Sequence, residues 1–144
     1  MLNSVDGVYS VINAPTASFK NQDTWIDPLV ITDVIWEAIP KTTNFNLVGY
    51  SHESQTDHIH MSQGELVFVL VKDSQAHYVE LKTGDGKVLI IQPNVWHSAV
   101  NLRDQDAVFL NMAKRHAAPG THDFTQSGCP VKIPNFHYRT TTTV

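Results

Sequence analysis

Apolar and polar positions alternate along this chain with the period of strands, not helices. Val, Ile, Phe, Leu and Thr gather in runs of roughly five to eight residues, bounded by Gly, Pro, Asn, Asp and Ser. Strands are predicted at 29–39, 45–51, 57–61, 65–72, 76–82, 87–92, 97–102 and 107–114. The segments between them read as turns. "KDSQ" at 72–75 is little more than a hairpin loop, "TGDG" at 83–86 supplies two glycines for positive φ, and "RDQD" at 103–106 makes another tight reversal. Consecutive strands should pair antiparallel. The expectation is a single all-β domain over 1–144, with its core at about 29–114 and arms at both ends outside it.

Composition narrows the class. At 144 residues with 42% hydrophobic content the chain can bury a real core. A formal charge of −4, with no cluster of Lys and Arg, argues against nucleic acid and anionic membranes as partners. "MLNSVDGVYSV" lacks a basic and apolar secretory pattern, and no apolar stretch approaches a span of about 20 residues, so a soluble, cytoplasmic protein is expected. Cys129, alone, can form no intrachain disulfide and reads as an ordinary residue. The proline- and glycine-containing arms, 1–28 and 115–139, suit wrapping a neighbour and make a homodimer the expected assembly.

The candidate chemistry lies in "DHIHMSQGELVFVL", residues 57–70. His58 and His60 are two apart, so on a strand both rings leave the same face and can chelate one ion. The four residues from Met61 to Gly64 can reverse the chain and bring Glu65 beside them. An inward carboxylate asks for a cation. His97, after a strand and a Pro-Asn turn, could add a third imidazole from an adjacent strand. Three imidazoles and a carboxylate suit a first-row divalent metal.

At these residues the chain resembles the cupin family, whose pattern is written G-x5-H-x-H-x3/4-E-x6-G and then G-x5-P-x-G-x2-H-x3-N. His58, His60 and Glu65 fit the core of the first motif, although His52 and Lys72 stand where it has glycines. The second fits in spacing from Gly86 through Gln92, Asn94 and His97 to Asn101. Gln92 and Asn94 replace its proline and glycine, but Pro93 between them gives a type II turn signature, with Asn94 accepting the left-handed conformation.

The resemblance covers about residues 45–112. It implies a cupin-type β-barrel or jelly roll, a double-stranded β-helix, with one divalent transition metal (Fe, Mn, Zn, Ni or Cu) held by His58, His60, Glu65 and His97. Two coordination positions would then stay open for a small-molecule substrate. The implied activity is a metal-dependent enzyme, dioxygenase first. A Lewis-acid lyase, isomerase or cyclase, polyketide cyclase included, is second, and a non-catalytic metabolite-binding or sensing module third. A domain without an attached signalling unit favours an enzyme. Beside Glu65, Tyr50, His52 and Gln63 are candidates for proton transfer or substrate orientation, Tyr50 and His52 because they alternate on a strand just before the motif. Trp96 should face away from His97 into a core, and His77, His116, His122 and His137 share no ligand spacing. The His/Asp/Tyr arrangement on which sugar-nucleotide epimerases rely is not found in the sequence.

Overall fold

A computed structural model describes residues 3–14, 31–118 and 120–133. The first two residues of the strand expected at 29–39, His137 and the "TTTT" tract lie outside them. The described residues form eleven strands and no helix, so none is long and apolar enough to cross a membrane. In order these are β1 (Asn3–Val5), β2 (Tyr9–Asn13), β3 (Asp33–Ile39), β4 (Val48–Ser51), β5 (Gln55–Gln63) and β6 (Glu65–Lys72), then β7 (Gln75–Lys82), β8 (Lys87–Ile91), β9 (Trp96–Val100), β10 (Ala107–Arg115) and β11 (Thr125–Gly128). All eight expected strands are present, with ends shifted by a few residues.

Two antiparallel sheets face each other in a jelly roll. One runs β1-β2-β8-β5-β10-β3 and the other β11-β4-β9-β6-β7. Between them lies the main core, in which Ile59, Met61, Leu66, Phe68, Leu70, Leu89 and Phe109 are buried. A second apolar layer covers the outer face of the smaller sheet. There Val67, Val69, Val71, Trp96 and Val100 pack with Leu47 and with Cys129, Val131 and Ile133 of the C-terminal segment. β6 is therefore buried on both faces, which is why its sequence is almost uninterrupted apolar residues.

Turn chemistry follows the sequence. Asp73 and Ser74 both take positive φ (51° and 63°), as a two-residue hairpin with strand-matched twist requires. β5 and β6 are not a hairpin. Gly64, at φ 73°, turns the corner by which the chain leaves one sheet for the other.

The described parts of the two ends join the sheets rather than lying outside them. β2 pairs with β8 along five residues, and its Tyr9 and Val11 are buried between the sheets. β11 pairs with β4 from Thr125↔Ser51 to Gly128↔Val48. The polar sequence of β11, TQSG, carries no alternation from which it could be read.

Asn94 takes φ 65°, the left-handed conformation expected of it, and its backbone N–H donates to the His52 carbonyl at 2.6 Å. Asn94→Gly should thus be neutral or slightly stabilising, while Asn94→Val should cost about 1–2 kcal/mol through steric strain. Thermal unfolding of the two variants checks this, and equal midpoints would contradict it.

Candidate active site

Strand phase decides which side chains face the interior. On β5, Ile59 and Met61 belong to the core, so Asp57, two residues before Ile59, points inward with them. His58 and His60 then lie on the opposite, outer face. Their Nδ1 atoms reach the carbonyls of Met112 (2.8 Å) and Lys87 (3.0 Å) on the flanking strands. On β6, Leu66, Phe68 and Leu70 take the inner face, which leaves Glu65 on the outer one with Val67 and Val69. Glu65 there pairs with Arg103 and stands in register with Lys82. The expected quartet of His58, His60, Glu65 and His97 is therefore not brought together, and of the four only His97 faces the cavity. Gln63 is also remote, with its side-chain amide donating to the Asp106 carbonyl.

A different group gathers around His97. Asp57 Oδ2 lies 3.3 Å from His97 Nε2 and 3.6 Å from His52 Nε2, and the two imidazole centroids are 5.4 Å apart. The three residues come from three places: Asp57 from β5 of the larger sheet, His97 from β9 of the smaller, and His52 from the connection between β4 and β5. Asp57 is 1% exposed. Its Oδ1 accepts from Gln55 Nε2 at 2.7 Å and from Asn111 Nδ2 at 3.0 Å, which leaves Oδ2 for the two rings.

Hydrogen-bond accounting fixes the tautomers. Carbonyl oxygens only accept, so His97 Nδ1–H donates to Val95 (2.9 Å) and His52 Nδ1–H donates to Asp123 (2.8 Å). In the neutral rings both Nε2 atoms are lone pairs, and both face a carboxylate oxygen. Three acceptors converging on one point require a shared proton or a cation there. Burial holds the His97 pKa below the usual imidazole value and His52 adds to the fall, against opposing pulls from Asp57 and the Val95 carbonyl. Burial thus favours the neutral, basic form of His97.

The loop before β11 completes the site. Asp123 accepts from the backbone N–H groups of Glu53 (2.8 Å) and Ser54 (2.9 Å) while its carbonyl holds His52. Phe124 sits edge-on to Tyr50, with ring centroids 6.0 Å apart, and His122 lies 4.3 Å from Phe124. Tyr50, Phe124 and His122 thus make an aromatic rim to a cavity of about 940 Å³ with the trio in its wall. Ile35, Ile39, Ile59, Phe68 and Phe109 supply apolar walls. A volume of that size accommodates a small-molecule metabolite.

No family model and no curated protein sequence matches the chain. Solved structures do. The 3,4-ketoisomerase QdtA of Thermoanaerobacterium thermosaccharolyticum, a mutant in complex with TDP-4-keto-6-deoxyglucose, aligns with a TM-score of 0.59 and 17% identity over 85% of this chain and 88% of that one. The fold is a cupin-type jelly roll. A 3,4-ketoisomerase of Helicobacter canadensis gives a TM-score of 0.60 and 15% identity over 81% and 89%. The dTDP-4-dehydrorhamnose 3,5-epimerase of Sulfolobus tokodaii gives 0.50 and 17% over 65% and 56%. At these identities the likeness establishes a shared architecture. Folding also brings together the His, Asp and Tyr side chains that the linear sequence did not reveal as a set: His52, His97, Asp57 and, at the rim, Tyr50.

Proposed function

We propose that this protein is an isomerase acting on an α-hydroxyketone of the keto-sugar kind. The observation that carries the reading is the His97–Asp57–His52 trio in the cavity wall, with both Nδ1–H groups committed to carbonyls and His97 held neutral. The structural neighbours named for ketoisomerisation and epimerisation support it over the dioxygenase reading.

The chemistry follows from the residues. A hydrogen on the carbon next to a ketone is weakly acidic, and a positioned base near neutrality removes it efficiently. His97 Nε2 accepts that proton, and the imidazolium formed is stabilised by Asp57 Oδ2. The Val95 and Asp123 carbonyls fix both rings, so neither has to reorient as charge develops. The His97 imidazolium carries the proton that returns to carbon, and His52, with its ring beside that of His97, flanks it there. Apolar walls exclude water from the enediol.

Incubating the protein in D2O with TDP-4-keto-6-deoxyglucose and related 4-keto sugars should place deuterium next to the carbonyl and yield a shifted ketone, both visible by NMR. Absence of exchange and of binding across the set would reject the isomerase reading.

The ligand geometry favours one second reading. His52, Asp57 and His97 offer two nitrogens and an oxygen, all within 4.8 Å of one another, and so fit a divalent transition metal in place of the shared proton. Bound there, the ion would supply Lewis-acid polarisation of a carbonyl. Elemental analysis of untagged protein separates the cases: about one metal per chain, lost in Asp57→Asn, supports the metal centre, and metal-free protein with full exchange activity supports the proton.

A further inference from the structure

One carboxyl group lining the cavity has no partner among the described residues. Glu37 lies on the inner face of β3, between Ile35 and Ile39, and is in register with Phe109 of β10. Among the described residues it has neither a hydrogen bond nor a salt bridge. The other acids lining the cavity are all engaged: Asp33 with Arg115 at 2.8 Å, Asp57 with Gln55, Asn111 and the two imidazoles, and Asp123 with two backbone N–H groups. Glu37 is exposed at the cavity wall, so its carboxyl group is free to act on what enters.

We propose that Glu37 is a second catalytic residue, which moves protons between the substrate's two oxygens while the imidazoles work at carbon. The inference rests on the isomerase reading and completes it. Shifting a ketone to the neighbouring carbon needs exchange at oxygen as well as at carbon. As His97 takes the C–H proton, its electron pair forms the C=C bond and the carbonyl π pair goes to oxygen, which takes the carboxyl proton of Glu37. An enediol and a Glu37 carboxylate result. The carboxylate then accepts the proton of the neighbouring hydroxyl, that oxygen becomes the new carbonyl, and the C=C pair takes a proton from imidazolium at the other carbon. No proton is gained or lost overall, and Glu37 ends protonated, as it began.

The surroundings suit a carboxyl group that is protonated for part of the cycle. Partial burial of this exposed side chain at the cavity wall raises the Glu37 pKa, and the negative charge of Asp57 raises it further. The charged and titratable groups that line the cavity with it are Asp33 on its own strand, Arg115 on β10, Asp57 on β5, His97 on β9, Tyr50 on β4, His52 before β5, and His122 and Asp123 before β11. Of these, Arg115 is already paired with Asp33.

The test compares wild type with Glu37→Gln and Glu37→Asp on TDP-4-keto-6-deoxyglucose in D2O. The glutamine variant should isomerise about 10²-fold more slowly or worse, with KM within threefold of wild type, and still exchange deuterium at carbon. The aspartate variant should recover part of the rate. Wild-type isomerisation rates in Glu37→Gln, or loss of exchange and isomerisation in equal measure, would overturn the assignment. Inactive wild type would instead defeat the isomerase reading and this inference with it. Carboxyl-carbon NMR adds a readout without substrate: the Glu37 signal should titrate above the ordinary glutamate range and fall in Asp57→Asn, and an ordinary titration overturns the proposal whatever the activity.

Discussion

Replacing His97 with glutamine should reduce kcat/KM for keto-sugar isomerisation by about 10²–10⁴-fold, the contribution expected of one positioned base. The fold should survive, because His97 stands at the cavity wall while Trp96 and Val100 of the same strand anchor the other face. Burial places the His97 pKa below that of a free imidazole. The base must be neutral to act, so the acid limb of the wild-type kcat/KM profile should lie below about pH 6.5, the free imidazole value, with activity kept as pH falls toward it. Initial rates against pH, with circular dichroism to confirm folding, check both parts. A glutamine variant within tenfold of wild type, or a wild-type acid limb well above pH 6.5, would remove His97 from the base's role.

How far the sequence spoke for this site depends on strand phase. Strand existence was legible because apolar runs and turn residues agree along the chain. Phase was harder. In "DHIHM" the two-residue period allows either Asp57, Ile59 and Met61 or His58 and His60 to face inward, and the resemblance in ligand spacing pointed to the histidines. Ile59 and Met61 were the available counter-signal, since apolar residues fix the inner face and carry Asp57 with them. In "ELVFVLVK" no such signal exists, because both faces are buried and alternation disappears. His52 was legible as a pocket residue through its alternation with Tyr50, and His97 through the spacing of the second motif. The contribution of Asp123 could not be read. It clamps the turn at Glu53 and Ser54 across about 70 residues of chain, through a loop without periodicity. Glu37 was likewise hidden in "DVIWEAI", where polar Glu37 shares a face with Ile35 and Ile39.

The largest stability effect should come from Gly49→Ala. Gly49 lies on β4 where that strand pairs with β9, and an added Cβ would stand 2.6 Å from Cε2 and Cζ2 of Trp96 and closer still to the His97 carbonyl oxygen. Neither neighbour can give way cheaply. One is backbone, and the other is an indole packed among Leu47, Val67, Val69, Val71 and Val100, with its Nε1–H donating to the Ser127 carbonyl at 3.2 Å. Relief therefore requires β4 to lift from β9, which would carry Tyr50 and His52 away from His97 and disturb the pairing of Gly49 with Ser127 on β11. Overpacking of this kind costs about 3 kcal/mol, which for a chain of this length lowers the unfolding midpoint by roughly 10 °C. Activity should fall too, because the displaced strand holds one side of the trio. Gly128→Ala is the control. Its Cβ would meet only the Leu47 carbonyl, at 4.0 Å and in ordinary contact, so it should leave the midpoint within about 2 °C. If calorimetry gives the two variants the same midpoint, the close approach of β4 to β9 that seats His52 against His97 is not as described.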